Sequence, residues 1–222
     1  MEFASNGGRG SGYLSTPPSA RGPGVIVVQE WWGLVPHIRD VADRFAAEGY
    51  VALAPDLFHG RTTREPDEAA KLLMALDVDQ AAKDLRGAIE YLLGEGGATG
   101  SKVAVIGFCM GGALAVYAGT IAPDKVGAIA DFYGGHPKVQ PDLAKLQAPV
   151  LGIFAGKDGF LNAEFVRNFE RQLTSLGKQH EIHVYPEADH AFFNDHRPEV
   201  YRPDDAADAW RRTLAFFKRH VG

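Results

Sequence analysis

Only one cysteine, Cys109, occurs among the 222 residues, and a single thiol closes no intramolecular disulfide, so nothing points to an oxidising compartment. No run of Lys or Arg forms a nucleic-acid footprint, and the 23 basic against 28 acidic residues leave a mild net charge of −5 that speaks for solubility rather than for a partner. No apolar stretch approaches the length of a membrane span, and residues 1–12 hold no apolar signal core, so a cytoplasmic protein is expected. The histidines lack metal-ligand spacing and there is no second cysteine. Gly7-Gly8-Arg9-Gly10 precedes no helix and so makes no dinucleotide site. No metal or other cofactor is therefore expected. Internal repeats and low-complexity tracts are also missing. Oligomeric state is not readable from the sequence.

What is present suits one buried core. With 45% hydrophobic and 23% charged residues, the chain reads as a flexible leader over residues 1–11 followed by a single domain over 12–222. Continuous apolar runs at Val25–Val28, Tyr50–Ala54, Val103–Ile106, Val126–Phe132 and Val150–Phe154 mark strands buried on both faces. His180–Tyr185 alternates, as a strand with one wetter face does, and Gly12-Tyr13-Leu14 reads as a short edge strand. Helix-period segments lie between them, among them one running from Leu72 through Leu76 to Leu92. This alternation predicts an α/β protein with a mostly parallel, doubly wound, three-layer sheet. Two Pro- and charge-rich loops, 58–67 and 194–205, are either plain connections or the rim of a pocket.

Cys109 stands in Gly107-Phe108-Cys109-Met110-Gly111-Gly112, directly after the apolar run ending at Ile106. That is the G-x-nucleophile-x-G pattern of a strand-to-helix elbow, with a thiol in place of the more usual hydroxyl. Isolated cysteines are often small buried hydrophobes, but bracketing glycines after a β-branched strand favour a strained, exposed nucleophile. In an open α/β sheet, ligands collect beyond the carboxyl ends of the strands. Glu30, Cys109, Asp158 and His190 all fall there. The chain order Cys, Asp, His is that of a triad built on the α/β-hydrolase topology. The imidazole would take the thiol proton, and the carboxylate would fix the ring's tautomer and stabilise the imidazolium. His59 is the rival base, and Asp131 and Asp189 are the rival acids. Asp56 reads as a loop pin.

These residues resemble a known family. Gln29-Glu30-Trp31-Trp32-Gly33, Pro55-Asp56-Leu57-Phe58, the elbow itself, Gly156-Lys157-Asp158 and Ala188-Asp189-His190-Ala191-Phe192-Phe193 are similar to the dienelactone hydrolase (carboxymethylenebutenolidase) family, over Gly12 to Phe217. The resemblance implies a Cys109, Asp158, His190 triad. It implies that Glu30 contacts the resting thiol and is displaced by substrate, and that the backbone N–H groups of Trp31 and Met110 form an oxyanion hole. Family members acting on true dienelactones hold a substrate carboxylate with two arginines and a tyrosine. Those positions fall on Asn194, Pro66 and Ala70 here, and none can form a charged clamp. Arg61, Arg64, Arg197 and Arg202 are candidates to reach in from the rim loops, with solvated surface as their ordinary role. Trp31, Trp32, Phe160, Phe192 and Phe193, with Asn194, suggest an apolar substrate pocket.

The leading expectation is a hydrolase of small carboxylic esters or lactones working through an acyl-thioester. Glutamine amidotransferases share a G-x-C-x-G elbow but carry a Glu two residues after the His, where this chain has Phe192. The alternative from another class is a non-catalytic or weakly catalytic protein that binds or senses electrophiles through an activated Cys109.

Overall fold

The computed structural model describes residues 1–5 and 8–222. Its one sheet has eight strands: β1 (Glu2–Ser5), β2 (Gly8–Ser15), β3 (Gly22–Val28), β4 (Val51–Pro55), β5 (Ala98–Phe108), β6 (Val126–Phe132), β7 (Val150–Ala155) and β8 (His180–Tyr185). Their spatial order is β1-β2-β4-β3-β5-β6-β7-β8. Strands β3 to β8 run parallel, and β1 and β2 are antiparallel additions at one side.

Among the described residues the six α-helices are α1 (Pro36–Ala47), α2 (Pro66–Ala75), α3 (Val78–Gly94), α4 (Met110–Ile121), α5 (Ala163–Ser175) and α6 (Pro203–Val221). Helices α1 and α6 cover one face through Ile38, Val41, Phe45, Ala209 and Phe217. Helices α3 and α4 cover the other through Leu85, Ile89, Leu92, Leu114 and Ala118. Because the central strands are covered on both sides, every residue of β4, β6 and β7 is buried, which is why their sequences are apolar runs rather than alternations.

Two local expectations are corrected. Residues 2–5 and 8–11 are not an unstructured leader: β1 pairs with β2 from Glu2↔Ser11 to Ser5↔Gly8, and Phe3 is buried with its ring 6.4 Å from that of Tyr91 on α3. Ser5 Oγ donates to Asp84 Oδ1 at 2.5 Å. The alternation of exposed Glu2 and Ala4 with buried Phe3 and Ser5 is the signal that ties this segment down. The expectation for Asn6 and Gly7 lies outside the described residues. Consequently Tyr13 and Leu14 belong to an inner strand, β2, instead of the edge. The second correction concerns the long helical period from Leu72 to Leu92, which is two helices. Asp77 starts a new one by accepting a hydrogen bond from the Gln80 N–H at 3.0 Å, with Leu76 in an extended conformation between them.

The turn from β5 into α4 is packed too closely for side chains. A Cβ added to Gly107 would lie 1.8 Å from the Gly111 carbonyl oxygen, and one added to Gly111 would lie 2.4 Å from the Val28 carbonyl oxygen. Both obstacles are backbone, so neither rotates away. Gly107→Ala is expected to cost at least about 3 kcal/mol, read as a fall in the urea midpoint. An unchanged midpoint would show that this turn is looser than described.

Candidate active site

Cys109 joins β5 to α4 with φ +55° and ψ −121°, a conformation that holds its side chain up at the carboxyl edge of the sheet. Its N–H donates to the Phe132 carbonyl at 3.0 Å, and its carbonyl accepts from Gly112 and Gly135 at 3.0 and 3.2 Å, so the strained residue is pinned on both sides. The thiol is half-buried.

His190 and Asp158, 32 residues apart, meet at 2.7 Å between Nδ1 and Oδ2. The other carboxylate oxygen of Asp158 accepts the N–H groups of Phe160 and Leu161 at 2.7 and 3.0 Å, which fixes the carboxylate in the turn after β7. Burial disfavours the ionised Asp158, but the hydrogen bond and charge of His190 and these two N–H groups hold its pKa below the usual carboxylate range. Burial likewise disfavours a charged His190. Hydrogen bonds to Asp158 and Cys109 and the charges of both outweigh it, and the imidazole pKa is pushed up to about 10. Asp158 and His190 thus form one hydrogen-bonded pair, and Cys109 lines the same cleft as the imidazole.

Of the rivals, His59 and Asp131 lie elsewhere, whereas Asp189 borders the same cleft as His190. His59 faces Asp84 at 3.2 Å, beneath the N-terminal strands. Asp56 accepts from the Phe58 and Gly60 N–H groups at 3.1 and 2.6 Å, as a loop pin should. Asp131 is buried in β6 beneath the elbow: a Cβ on Gly112 would stand 2.2 Å from its Oδ1.

Glu30, Trp31, Trp32, Cys109, Phe160 and His190 line one cleft of about 860 Å³. Phe160 is 78% exposed and meets the His190 ring edge-on at 5.4 Å, and the Trp31 and Trp32 rings are 4.9 Å apart. Met110 is buried at the first position of α4. Among the described residues neither its N–H nor that of Trp31 has a hydrogen-bond acceptor. Both are therefore available as donors, and Met110 adds the positive end of a helix.

Three pocket expectations are corrected. Phe192 and Phe193 are fully buried and do not line the cleft. Phe192 packs on Tyr133 and Tyr185 with centroids 5.7 and 5.0 Å away, and Phe193 stacks on Phe108 at 5.4 Å. Ala191, at φ +67°, turns the chain inward directly after His190 and carries both rings into the core. Asn194 is buried as well, and its Nδ2 donates to Glu30 Oε2 at 2.9 Å. That is the one hydrogen bond to the Glu30 carboxylate among the described residues, so Glu30 rests against Asn194 rather than in a hydrogen bond with the thiol.

One residue not singled out, Tyr133, borders the cleft, and one of the rim-loop candidates, Arg197, lines it. Tyr133 follows β6 at φ +41°, with its ring 5.0 Å from that of His190. Burial, reinforced by the charges of Glu30 and Cys109, lifts its phenol pKa well above the ordinary value, which keeps it a neutral O–H. The strand-end rule that selected Glu30 selects Tyr133 too. Arg197, from the second rim loop, lines the cleft with its guanidinium 5.9 Å over the Trp32 ring.

The fold also gathers His37, Asp195 and His196 with donor atoms within 4.8 Å of one another, a grouping their sequence spacing does not announce. His37 Nδ1 faces Asp195 at 3.2 Å, and His196 Nε2 faces Asp40 at 2.7 Å. A cation on His37 Nδ1 would force the proton onto Nε2, which is buried without an acceptor, so the group fits hydrogen-bonded pairs better than a metal centre.

A family model described as the dienelactone hydrolase family matches residues 11–221. The chain belongs to that family. It is 37% identical to Protein usf of Aquifex pyrophilus and 34% identical to a protein of Aquifex aeolicus provisionally assigned as a carboxymethylenebutenolidase. Both alignments cover 100% of this chain and 98% of the relative. A crystal structure provisionally assigned as a dienelactone hydrolase, from Klebsiella pneumoniae, superposes with a TM-score of 0.88 at 32% identity over 98% of this chain and 97% of that one. The sheet and its helices are those of the α/β-hydrolase fold. Among the described residues no helix is long and apolar enough to cross a membrane.

Proposed function

We infer that this dienelactone hydrolase family member hydrolyses carboxylic esters or lactones with Cys109 as nucleophile, His190 as general base and acid, and Asp158 as the group that orients and charges His190. The observation carrying this reading is the 2.7 Å His190–Asp158 hydrogen bond in a cleft that Cys109 also lines from a strained elbow. Strain, a paired imidazole and an open cleft in one place are hard to explain as packing alone.

The sulfur attacks the ester carbonyl while His190 holds the thiol proton. The carbonyl oxygen becomes an oxyanion received by the unpaired N–H groups of Trp31 and Met110, a contribution of several kcal/mol in such sites. Collapse breaks the carbon–oxygen bond, and His190 passes its proton to the departing alkoxide. An acyl-thioester on Cys109 remains. Water then gives a proton to His190 and attacks the thioester, a second oxyanion forms and collapses, and the carboxylic acid and free thiol are released. Glu30, buried and held by Asn194, lines the cleft beside this path with its carboxylate.

The test is a rapid-mix assay with p-nitrophenyl valerate, with intact-protein mass measured on the quenched mixture. The expected result is continuous turnover and a transient mass gain of one acyl group located on Cys109. Stoichiometric labelling of Cys109 without continued release of nitrophenol would instead favour the electrophile-binding alternative.

A further inference from the structure

Every positive charge at the cleft already has a partner. Among the described lining residues, Lys157 Nζ lies 2.6 Å from Glu187 Oε2, and Arg197 Nε lies 2.8 Å from Glu199 Oε1. His136 contributes no charge: burial pushes its pKa down, its Nε2 meets the Leu73 carbonyl at 3.1 Å, and its Nδ1 accepts from the Lys138 N–H at 3.0 Å. The charge on His190 is matched by Asp158. Asn194 is buried and committed to Glu30. Arg64 is solvent-exposed and lines the neighbouring hollow of about 440 Å³ rather than the cleft. Against these stand three carboxylates that line the cleft itself, Glu30, Asp189 and Glu199.

The remaining wall is apolar. Trp32, Leu73, Phe160, Leu161, Phe165 and Val200 contribute to it, and Phe160 and Phe165 leave 78% and 41% of their surface in water. A ligand that covers them gains roughly 25 cal/mol per Å² of apolar area removed from water. A ligand bearing its own carboxylate gains the same area, but must either break an existing ion pair or lie unpaired beside Glu30, and a charge desolvated without a partner is costly.

We propose that the acyl group accepted by this cleft is uncharged and apolar, and that a free carboxylate on the substrate is selected against. This rests on the esterase reading above and goes further by naming the substrate class. The pair Arg197–Glu199 is the specificity element, because Glu199 accepts from the Nε–H of Arg197 and offsets the charge that would otherwise receive an anion.

Two substrates of equal chain length test it: p-nitrophenyl valerate and the mono-p-nitrophenyl ester of glutaric acid, whose terminal methyl is replaced by a carboxylate. With the wild-type chain at pH 7.5 and low salt, kcat/KM for the valerate is expected to exceed that for the glutarate about 30-fold. In Glu199→Gln, which leaves Arg197 without its carboxylate, that ratio should narrow about fivefold. The Tm of the variant is measured alongside, so that a damaged fold is recognised. Glutarate turned over as fast as valerate or faster by the wild type would overturn the proposal while leaving the esterase reading standing. So would a ratio unmoved in a well-folded Glu199→Gln. If neither ester is turned over above the Cys109→Ala background, the esterase reading itself fails and this inference goes with it.

Discussion

Replacing Cys109 by alanine is expected to lower kcat/KM for p-nitrophenyl valerate about 10⁴-fold, while shifting unfolding free energy by less than about 1 kcal/mol. On the proposed mechanism the large term follows from losing the attacking atom. What would remain is the stabilisation that the Trp31 and Met110 N–H groups, as the proposed oxyanion hole, and the cleft give to direct attack by water. The small term follows from position: the thiol is half-buried, alanine needs no more room than cysteine, and the φ of +55° is as strained for one as for the other. His190→Ala should cost a comparable factor, because a thiol whose proton has no acceptor at 190 attacks slowly. The double variant should be hardly slower than either single one, since the two groups act as a unit. Multiplying effects in the double variant would mean that the two residues contribute separately, which the proposed mechanism does not allow. Steady-state kinetics on the three variants, with urea melts, decide it.

Asp131→Asn is expected to stabilise the protein, and by an amount that grows with pH. Asp131 is buried in β6, with its Oδ1 lacking any hydrogen-bond partner and Gly112 and Gly134 packed against it. Burial pushes its pKa up to about 7, against the opposing hydrogen bond from the Gly134 backbone. In the unfolded chain an aspartate titrates near 4. The folded state therefore holds a proton that the unfolded state gives up between about pH 4 and pH 7. Stability is full below that range and falls as pH rises through it, by ~4 kcal/mol in all. Asparagine keeps the shape and never ionises. Wild type and variant should therefore melt together near pH 4, whereas at pH 8 the variant should melt roughly 10 °C higher. Neighbouring titrations do not obscure the comparison. Asp158 contributes stability above its unfolded pKa that is lost in acid. His190 contributes stability that is full below pH 6.5 and lost as pH rises through about 10. Both terms are common to the two proteins and cancel in the difference. Melting curves that stay parallel from pH 4 to pH 8 would show that Asp131 is ionised at little cost.

The elements that were legible in the sequence are those whose signal is local. The apolar runs of β3 to β7 announce strands covered on both faces, and the glycines around Cys109 announce a turn in which backbone meets backbone, at 1.8 Å for a Cβ on Gly107. The strand-end rule then selects Glu30, Cys109, Asp158 and His190 without knowledge of distance, because in a parallel sheet all carboxyl ends share one edge. The same rule, applied to the residue after Val126–Phe132, would have added Tyr133. The N-terminal strand is not legible because its four residues carry a single large apolar side chain, Phe3, too short a pattern to stand out against the surrounding glycines.

The positions of Phe192, Phe193 and Asn194 are not legible in the sequence for a different reason. These residues follow His190 within four positions, yet one residue with positive φ, Ala191, sends both rings into the core and Asn194 under Glu30. No composition or period encodes that reversal. Periodicity and glycine placement were enough to specify a doubly wound sheet and the chain positions from which its reactive groups project, because both are set by neighbours a few residues apart. Which groups touch, which cations are already neutralised, and which aromatic rings face the cleft depend on contacts between segments as distant as Glu30 and Asn194, and those exist only once the layers have packed.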